Sequence, residues 1–170
     1  MPSDQWAGSL LRTLVVAKPG GRFLELGTGM GLSLSWMVDG MDRASHLVSV
    51  DHDQELIDWV LPEFEQEANV TITCTDGAAW IQSYSGPAFD LIFADAWPGK
   101  YELLEETLDL LKPGGLYVID DMLEQYNWPE GHAQKADMLA KDLLSRPDFS
   151  VTRLDWSTGI LVCAKTSSEI

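Results

Sequence analysis

The stretch FLELGTGMGLS spans residues 23–33. An apolar run ends at Leu26, Gly27, Gly29 and Gly31 follow at alternate positions, and helix-like sequence begins. Glycines permit a tight turn and let a ligand approach the backbone closely. Glu25 stands directly before this loop. Further acids close later apolar runs: Asp51 in LVSVDHD, Asp76 in ITCTDGAAW, Asp95 in FDLIFADAW and Asp120-Asp121 in LYVIDDM. Asp51 lies roughly 20 residues beyond the glycine loop, where a carboxylate can accept hydrogen bonds from both hydroxyls of a ribose. Asp53 reads as the N-cap of the next helix. Asp76, Gly77 and Ala78 fall where an adenine edge would lie, and Asp76 is equally an N-cap.

These features fit a nucleoside ligand. A dinucleotide such as NAD usually takes GxGxxG, with its pyrophosphate on a helix N-terminus. This loop reads GxGxG, carries Glu25, and lacks basic residues for phosphates. A carboxylate repels a pyrophosphate and attracts a cationic amino-acid moiety. The electrostatics therefore prefer S-adenosylmethionine to NAD.

Such residues must be held at strand ends, and the chain supplies the strands. Apolar runs at Arg22–Leu26, His46–Val50, Val70–Cys74, Phe89–Ala94 and Leu116–Asp120 alternate with helix-like segments near 30–39, 53–68, 76–83 and 101–111. That alternation predicts a parallel sheet covered on both faces. AKPGGRFLEL (17–26) and LKPGGLYVID (111–120) both read as helix end, Pro-Gly-Gly turn and strand. After residue 130 an amphipathic helix carries Ala133, Ala136, Leu139, Ala140 and Leu143 on one stripe. FSVTRLDW and TGILVCAK then follow too closely for a crossover helix, so they predict an antiparallel hairpin. Seven strands result, one running against the rest.

The bulk numbers bound the partners. The 170 residues suit a single domain over 1–170 with a short N-terminal helix. Eleven basic against 27 acidic residues give a net charge of −16. A surface this negative repels nucleic-acid phosphates and anionic membranes. Cys74 and Cys163 sit in strand-like runs and read as buried thiols of a reducing compartment. The N-terminal segment has neither a basic leader nor a membrane-length apolar stretch, which predicts a cytoplasmic protein.

Taken together, FLELGTGMGLS, VSVDHD, TDGAAW, FDLIFADAWPGKY and LLKPGGLYVIDDM resemble, in order and spacing, the motifs of class I S-adenosylmethionine-dependent methyltransferases. They are most similar to the small O-methyltransferases of the catechol and caffeoyl-CoA type. The resemblance covers about residues 20–165. It implies an α/β, Rossmann-like, doubly wound, seven-stranded and mostly parallel sheet with an antiparallel last strand. It implies cofactor contacts from Glu25, Gly27, Gly29, Gly31, Ser33, Asp51, Asp76, Gly77, Ala78, Asp95 and Trp97, the last as an aromatic wall near the methyl group. The reaction implied is methyl transfer to a small-molecule acceptor, through its hydroxyl; Asp95 and Lys100 are the candidate catalytic residues.

The resemblance also implies a divalent cation, Mg²⁺ or similar, on Asp95, Asp120 and Asp121. Two departures weigh on this. Asp121 replaces an Asn, and Pro98 occupies the position of a lysine that can take the acceptor's proton. The nearest basic residue is Lys100, which a Pro-Gly turn could bring back to the site or leave in solvent. A non-catalytic binding module that keeps only the cofactor pocket stays open for the same reason. The loop 121–132, with Met122, Tyr126, Trp128 and His132, should overhang the pocket. Trp6, Leu10, Leu11 and Leu14 suggest an amphipathic N-terminal helix that covers the acceptor site or forms a homodimer.

Overall fold

Strands covered on both faces can be apolar throughout, and the first five runs of this chain use that freedom. The computed structural model describes residues 4–167; residues 1–3 and 168–170, the ends of the predicted domain, lie outside the described residues. The strands are β1 (Arg22–Leu26), β2 (His46–Asp51), β3 (Val70–Cys74), β4 (Phe89–Ala94), β5 (Leu111–Ile119), β6 (Phe149–Leu154) and β7 (Ile160–Lys165). They form one sheet in the order β3-β2-β1-β4-β5-β7-β6. The first five run parallel, and β7 is antiparallel to both β5 and β6. The parallel strands, the closing hairpin and the one reversed strand are as predicted; the strand order is a finding of the structure.

Six helices among the described residues cover the sheet: α1 (Gln5–Val16), α2 (Leu32–Gly40), α3 (Gln54–Phe64), α4 (Gly77–Ser83), α5 (Leu104–Asp109) and α6 (His132–Ser145). Alternate residues of one strand serve opposite faces. Phe23, Leu91 and Phe93 pack with Leu11 of α1, Met37 of α2 and Val60 of α3. Leu24, Ile92 and Ala94 pack with Ile81 of α4, Leu108 of α5 and Leu143 of α6. Fully burying a side chain of this kind stabilises by about 1.5–3 kcal/mol. No helix among the described residues is long and apolar enough to cross a membrane. Cys163 is buried as expected, whereas Cys74 is partly exposed because β3 is an edge strand.

Some predicted boundaries move. α3 ends at Phe64, short of 68, where Glu63, Glu65 and Glu67 crowd the negative end of the helix dipole. The helix expected over 101–111 shrinks to α5, because residues 97–102 form a turn in which Gly99 N–H donates to Glu102 O (2.7 Å) and Tyr101 N–H to Trp97 O (2.9 Å). The two Pro-Gly-Gly phrases also differ. The first closes a turn before β1, with Gly21 N–H donating to Lys18 O (2.9 Å). The second already belongs to β5, as a register shift between the Phe89–Leu111 and Leu91–Leu116 pairs.

α1 is capped by Asp4, whose carboxylate accepts from Trp6 N–H (2.8 Å) and Ala7 N–H (3.0 Å). It buries Ala7, Leu11 and Val15, leaves Trp6 66% exposed, and seats Gly8 against the Trp36 ring of α2. No α1 residue lines the cleft described next, because the helix packs against the face of α2.

Candidate functional site

β1 has β2 on one side and β4 on the other, so strand order reverses there and the loops leaving β1 and β4 diverge into a crevice. A cleft of about 690 Å³ occupies it. Gly27 lies at the seam with φ 104°, and a Cβ there would stand 3.0 Å from the Asp95 carbonyl oxygen, so only glycine fits. The Gly29 N–H donates to Asp51 Oδ2 (2.9 Å), and the Asp53 N–H donates to Asp51 Oδ1 (3.0 Å). The glycine turn and the end of β2 are thus joined through one carboxylate. Asp53 caps α3, as predicted, by accepting from Glu55 and Leu56 N–H (3.0 and 3.3 Å). Asp76 caps α4 by accepting from Ala79 N–H (2.8 Å) and also lines the cleft, so it combines both predicted positions.

Of the predicted cofactor residues, Gly27, Gly29, Ser33, Asp51, Asp76, Gly77, Asp95 and Trp97 line the cleft. Glu25, Gly31 and Ala78 do not. Gly31 backs onto Val60 and Phe64 of α3. Ala78 is one residue into α4, behind the cap that faces the cleft. Glu25 is completely buried beneath the floor, because β1 residues alternate in direction and its turn falls inward. Its carboxylate accepts from the hydroxyls of Ser33 (2.5 Å) and Ser49, and Ser49 in turn contacts Thr28 Oγ1 (2.6 Å). Burial pushes the Glu25 carboxyl up to about 7, against the two serine hydrogen bonds that favour its ionised form.

At the other end of the cleft, Asp95 follows β4, and Asp120 and Asp121 follow β5. The turn after Asp95 doubles back, fixed by the Tyr117 hydroxyl donating to Gly99 O. Gly99 has φ 85°, and a Cβ there would run into the Leu26 side chain. The turn delivers Lys100 into the interior, 5% exposed, with Nζ donating to the Asp120 backbone carbonyl (2.6 Å). The Asp120 carboxylate accepts from the Thr158 hydroxyl and from the Asp121 N–H (2.8 Å). Burial first, then Asp120 and Asp121, push the Asp95 carboxyl up to about 8. Burial and Asp120 raise Asp121 above the carboxylate range. Burial pulls Lys100 below the usual lysine range, while Asp95, Asp121 and Asp120 pull it back up.

The expected cation does not fit these donors. Among the described residues, no three Asp, Glu, His or Cys side chains converge closely enough to hold a metal ion. Asp120 is already tied to Thr158, Asp121 is turned by a left-handed backbone (φ 55°), and a lysine lies beside them.

With the geometry in place, known proteins share its plan. A family model described as a methyltransferase domain matches residues 24–122. The chain belongs to the methyltransferase-domain family. A curated relative from Mycobacterium avium, named "Putative O-methyltransferase", is 30% identical over 118 residues, covering 66% of this chain and 53% of its own. The chain therefore spans about half the length of the curated relatives it matches. Two solved structures share the fold. The O-methyltransferase from Bacillus cereus in complex with SAH has a TM-score of 0.83 at 20% identity, over 97% of this chain and 83% of that one. TomG from Streptomyces achromogenes, an O-methyltransferase in complex with SAM, has a TM-score of 0.84 at 20% identity, over 98% of this chain and 82% of that one.

The cleft of this methyltransferase domain is acidic. Asp51, Asp53, Asp76, Asp95 and Glu102 line it, and no lysine or arginine does. Lys100 stands behind the lining. The loop 121–131 does not overhang the cleft as predicted, and no residue from 121 to 132 lines it. Tyr126 is 98% exposed, while Met122 is buried under the hairpin, its N–H donating to Gly159 O (2.9 Å). His132 instead joins an aromatic group beside the cleft, with Trp128 at 4.4 Å, Tyr101 at 5.3 Å and Trp97 at 5.9 Å between ring centres. Sequence reasoning missed Met30, Leu32 and Leu56 in the lining, and Thr158 behind Asp120. The first three follow from the helix starts flanking the glycine loop and Asp51. Thr158 carries no local signal, since it reaches Asp120 from the β6–β7 turn.

Proposed function

We propose that this chain transfers the methyl group of S-adenosylmethionine to a hydroxyl of a small-molecule acceptor. The observation that carries the reading is the acidic cleft in which Asp51 clasps the glycine turn at the point where strand order reverses. A cleft lined by Asp51, Asp53, Asp76 and Glu102 beside Asp95, and by no lysine or arginine, repels a pyrophosphate and favours a sulfonium cation. Asp51 retains lone pairs for ribose hydroxyls, and Asp76, Gly77 and Trp97 line the remainder. The similar proteins named as O-methyltransferases support the acceptor atom.

In the reaction the acceptor oxygen attacks the methyl carbon. The O–CH₃ bond forms, the S–CH₃ bond breaks, and its electron pair stays on sulfur as the neutral thioether. The acceptor's proton passes to Asp95, the only predicted catalytic residue that lines the cleft. Lys100 is buried outside the cleft lining and acts as a positioning residue. Holding the two reactants in line can remove about 7–11 kcal/mol from such a barrier.

Isothermal titration with S-adenosylmethionine tests the cofactor, with micromolar binding expected. Product analysis by mass spectrometry over a panel of hydroxyl compounds tests turnover. No binding at millimolar cofactor overturns the proposal. Binding without turnover over phenol, thiol and amine panels reduces it to a cofactor-binding module.

A further inference from the structure

The corner behind Asp95 contains a cation, and it belongs to the chain. The hydrogen bond from Lys100 Nζ to the Asp120 carbonyl is its only one among the described residues, and none of the ion pairs among them involves Lys100. Its charge instead acts on Asp95, Asp120 and Asp121 together. Asp95, Asp120 and Asp121 follow the ends of adjacent strands, and acids placed there repel one another unless a positive charge offsets them. Placing that charge on a buried side chain is costly in desolvation, and it persists only where the surroundings compensate it. Here the compensation is built from several distant segments. The 97–102 turn is locked by Tyr117 and delivers Lys100, while the β6–β7 turn supplies Thr158 to hold the Asp120 carboxylate. The lysine arrives only because Pro98 and Gly99 reverse the chain before it.

We infer that the buried Lys100 ammonium supplies the positive charge that the family resemblance expects from a divalent cation, and that this chain works without a metal ion. The first half concerns the fold alone; the second rests on the methyl-transfer reading given above. Lys100 then steadies Asp95 from behind, leaving the open side of the carboxylate for the acceptor.

Manganese titration of the chelator-treated full chain, followed by electron paramagnetic resonance, tests the first half. Wild type is expected to bind no stoichiometric Mn²⁺. Lys100→Ala removes the ammonium that keeps the acids from closing on a cation, so the variant, once free to rearrange, is expected to bind one Mn²⁺ per chain, at least about tenfold more tightly than wild type. Adding Asp95→Asn to Lys100→Ala is expected to abolish that gain. One Mn²⁺ bound by wild type and lost in Asp95→Asn overturns the inference, as does a folded Lys100→Ala with no gain. If Lys100→Ala fails to fold, Lys100→Met fills the same volume without charge, and the wild-type titration still decides. For the second half, turnover unchanged by chelator is expected, and loss of turnover restored by Mg²⁺ overturns it. Cofactor titration without metal keeps the two readings apart: failure to bind S-adenosylmethionine sinks methyl transfer and leaves the Mn²⁺ result standing.

Discussion

The two ends of the cleft are both acidic, yet they are assembled by opposite means. At the glycine end, Asp51 is held by backbone N–H groups of residues 29 and 53. These bonds are short in range along the chain or follow from adjacent parallel strands. At the far end, Asp95, Asp120 and Asp121 are organised by Lys100, Tyr117 and Thr158, which come from separate turns and strands. One end is a property of local backbone geometry, and the other is a property of tertiary assembly. Damage to the first should be felt in binding, and damage to the second in chemistry and folding.

Four changes break or sharpen that contrast. Asp95→Asn removes the proton acceptor and is expected to lower turnover by about 10²–10⁴-fold, far more than it weakens cofactor binding; single-turnover kinetics beside calorimetry check it. Glu25 lies under the glycine end and gives a pH signature. Its folded-state value, about 7, lies above its ordinary value of 4.5, so the folded chain retains a proton that the unfolded chain releases. Stability should therefore fall as pH rises from about 4.5 to 7, by about 3 kcal/mol at most, and Glu25→Gln should flatten that slope in denaturant titrations. Asp51→Ala is expected to weaken cofactor binding by about 2 kcal/mol while sparing turnover at saturation. An equal loss in turnover would show that the two ends are not separable. Smallest is Thr158→Val, expected to cost about 1–2 kcal/mol of stability by leaving the buried Asp120 carboxylate short of a donor. Thermal unfolding measures it.

The same contrast explains what the sequence could reveal. The strands, their mostly parallel sheet and the hairpin at its end were legible because strand burial and connection length act locally, whereas the strand order was not read from the sequence. Gly27, Gly29, Asp51 and Asp76 were legible because turns and helix caps restrict residue types at fixed spacing. Glu25 was assigned to the pocket from its neighbourhood, but strand alternation turns it below the floor. The trio at 95, 120 and 121 was correctly brought to one edge, yet its occupant was not legible. Whether Lys100 faces solvent or the interior depends on Tyr117, some 17 residues downstream, gripping the carbonyl of Gly99. No periodicity or spacing reports such a contact. The helix over 101–111 was overread because its residues favour helix, while the tertiary grip on 97–102 claimed its first turn.

The seam at position 27 has a consequence for motion. The backbone of the first loop rests so near the Asp95 carbonyl that no methyl group could be interposed. Any ligand that pushes the loop must therefore press on the residue that starts the second loop. The cleft needs no hinge for its halves to sense each other, since a single peptide thickness separates filling one from adjusting the other.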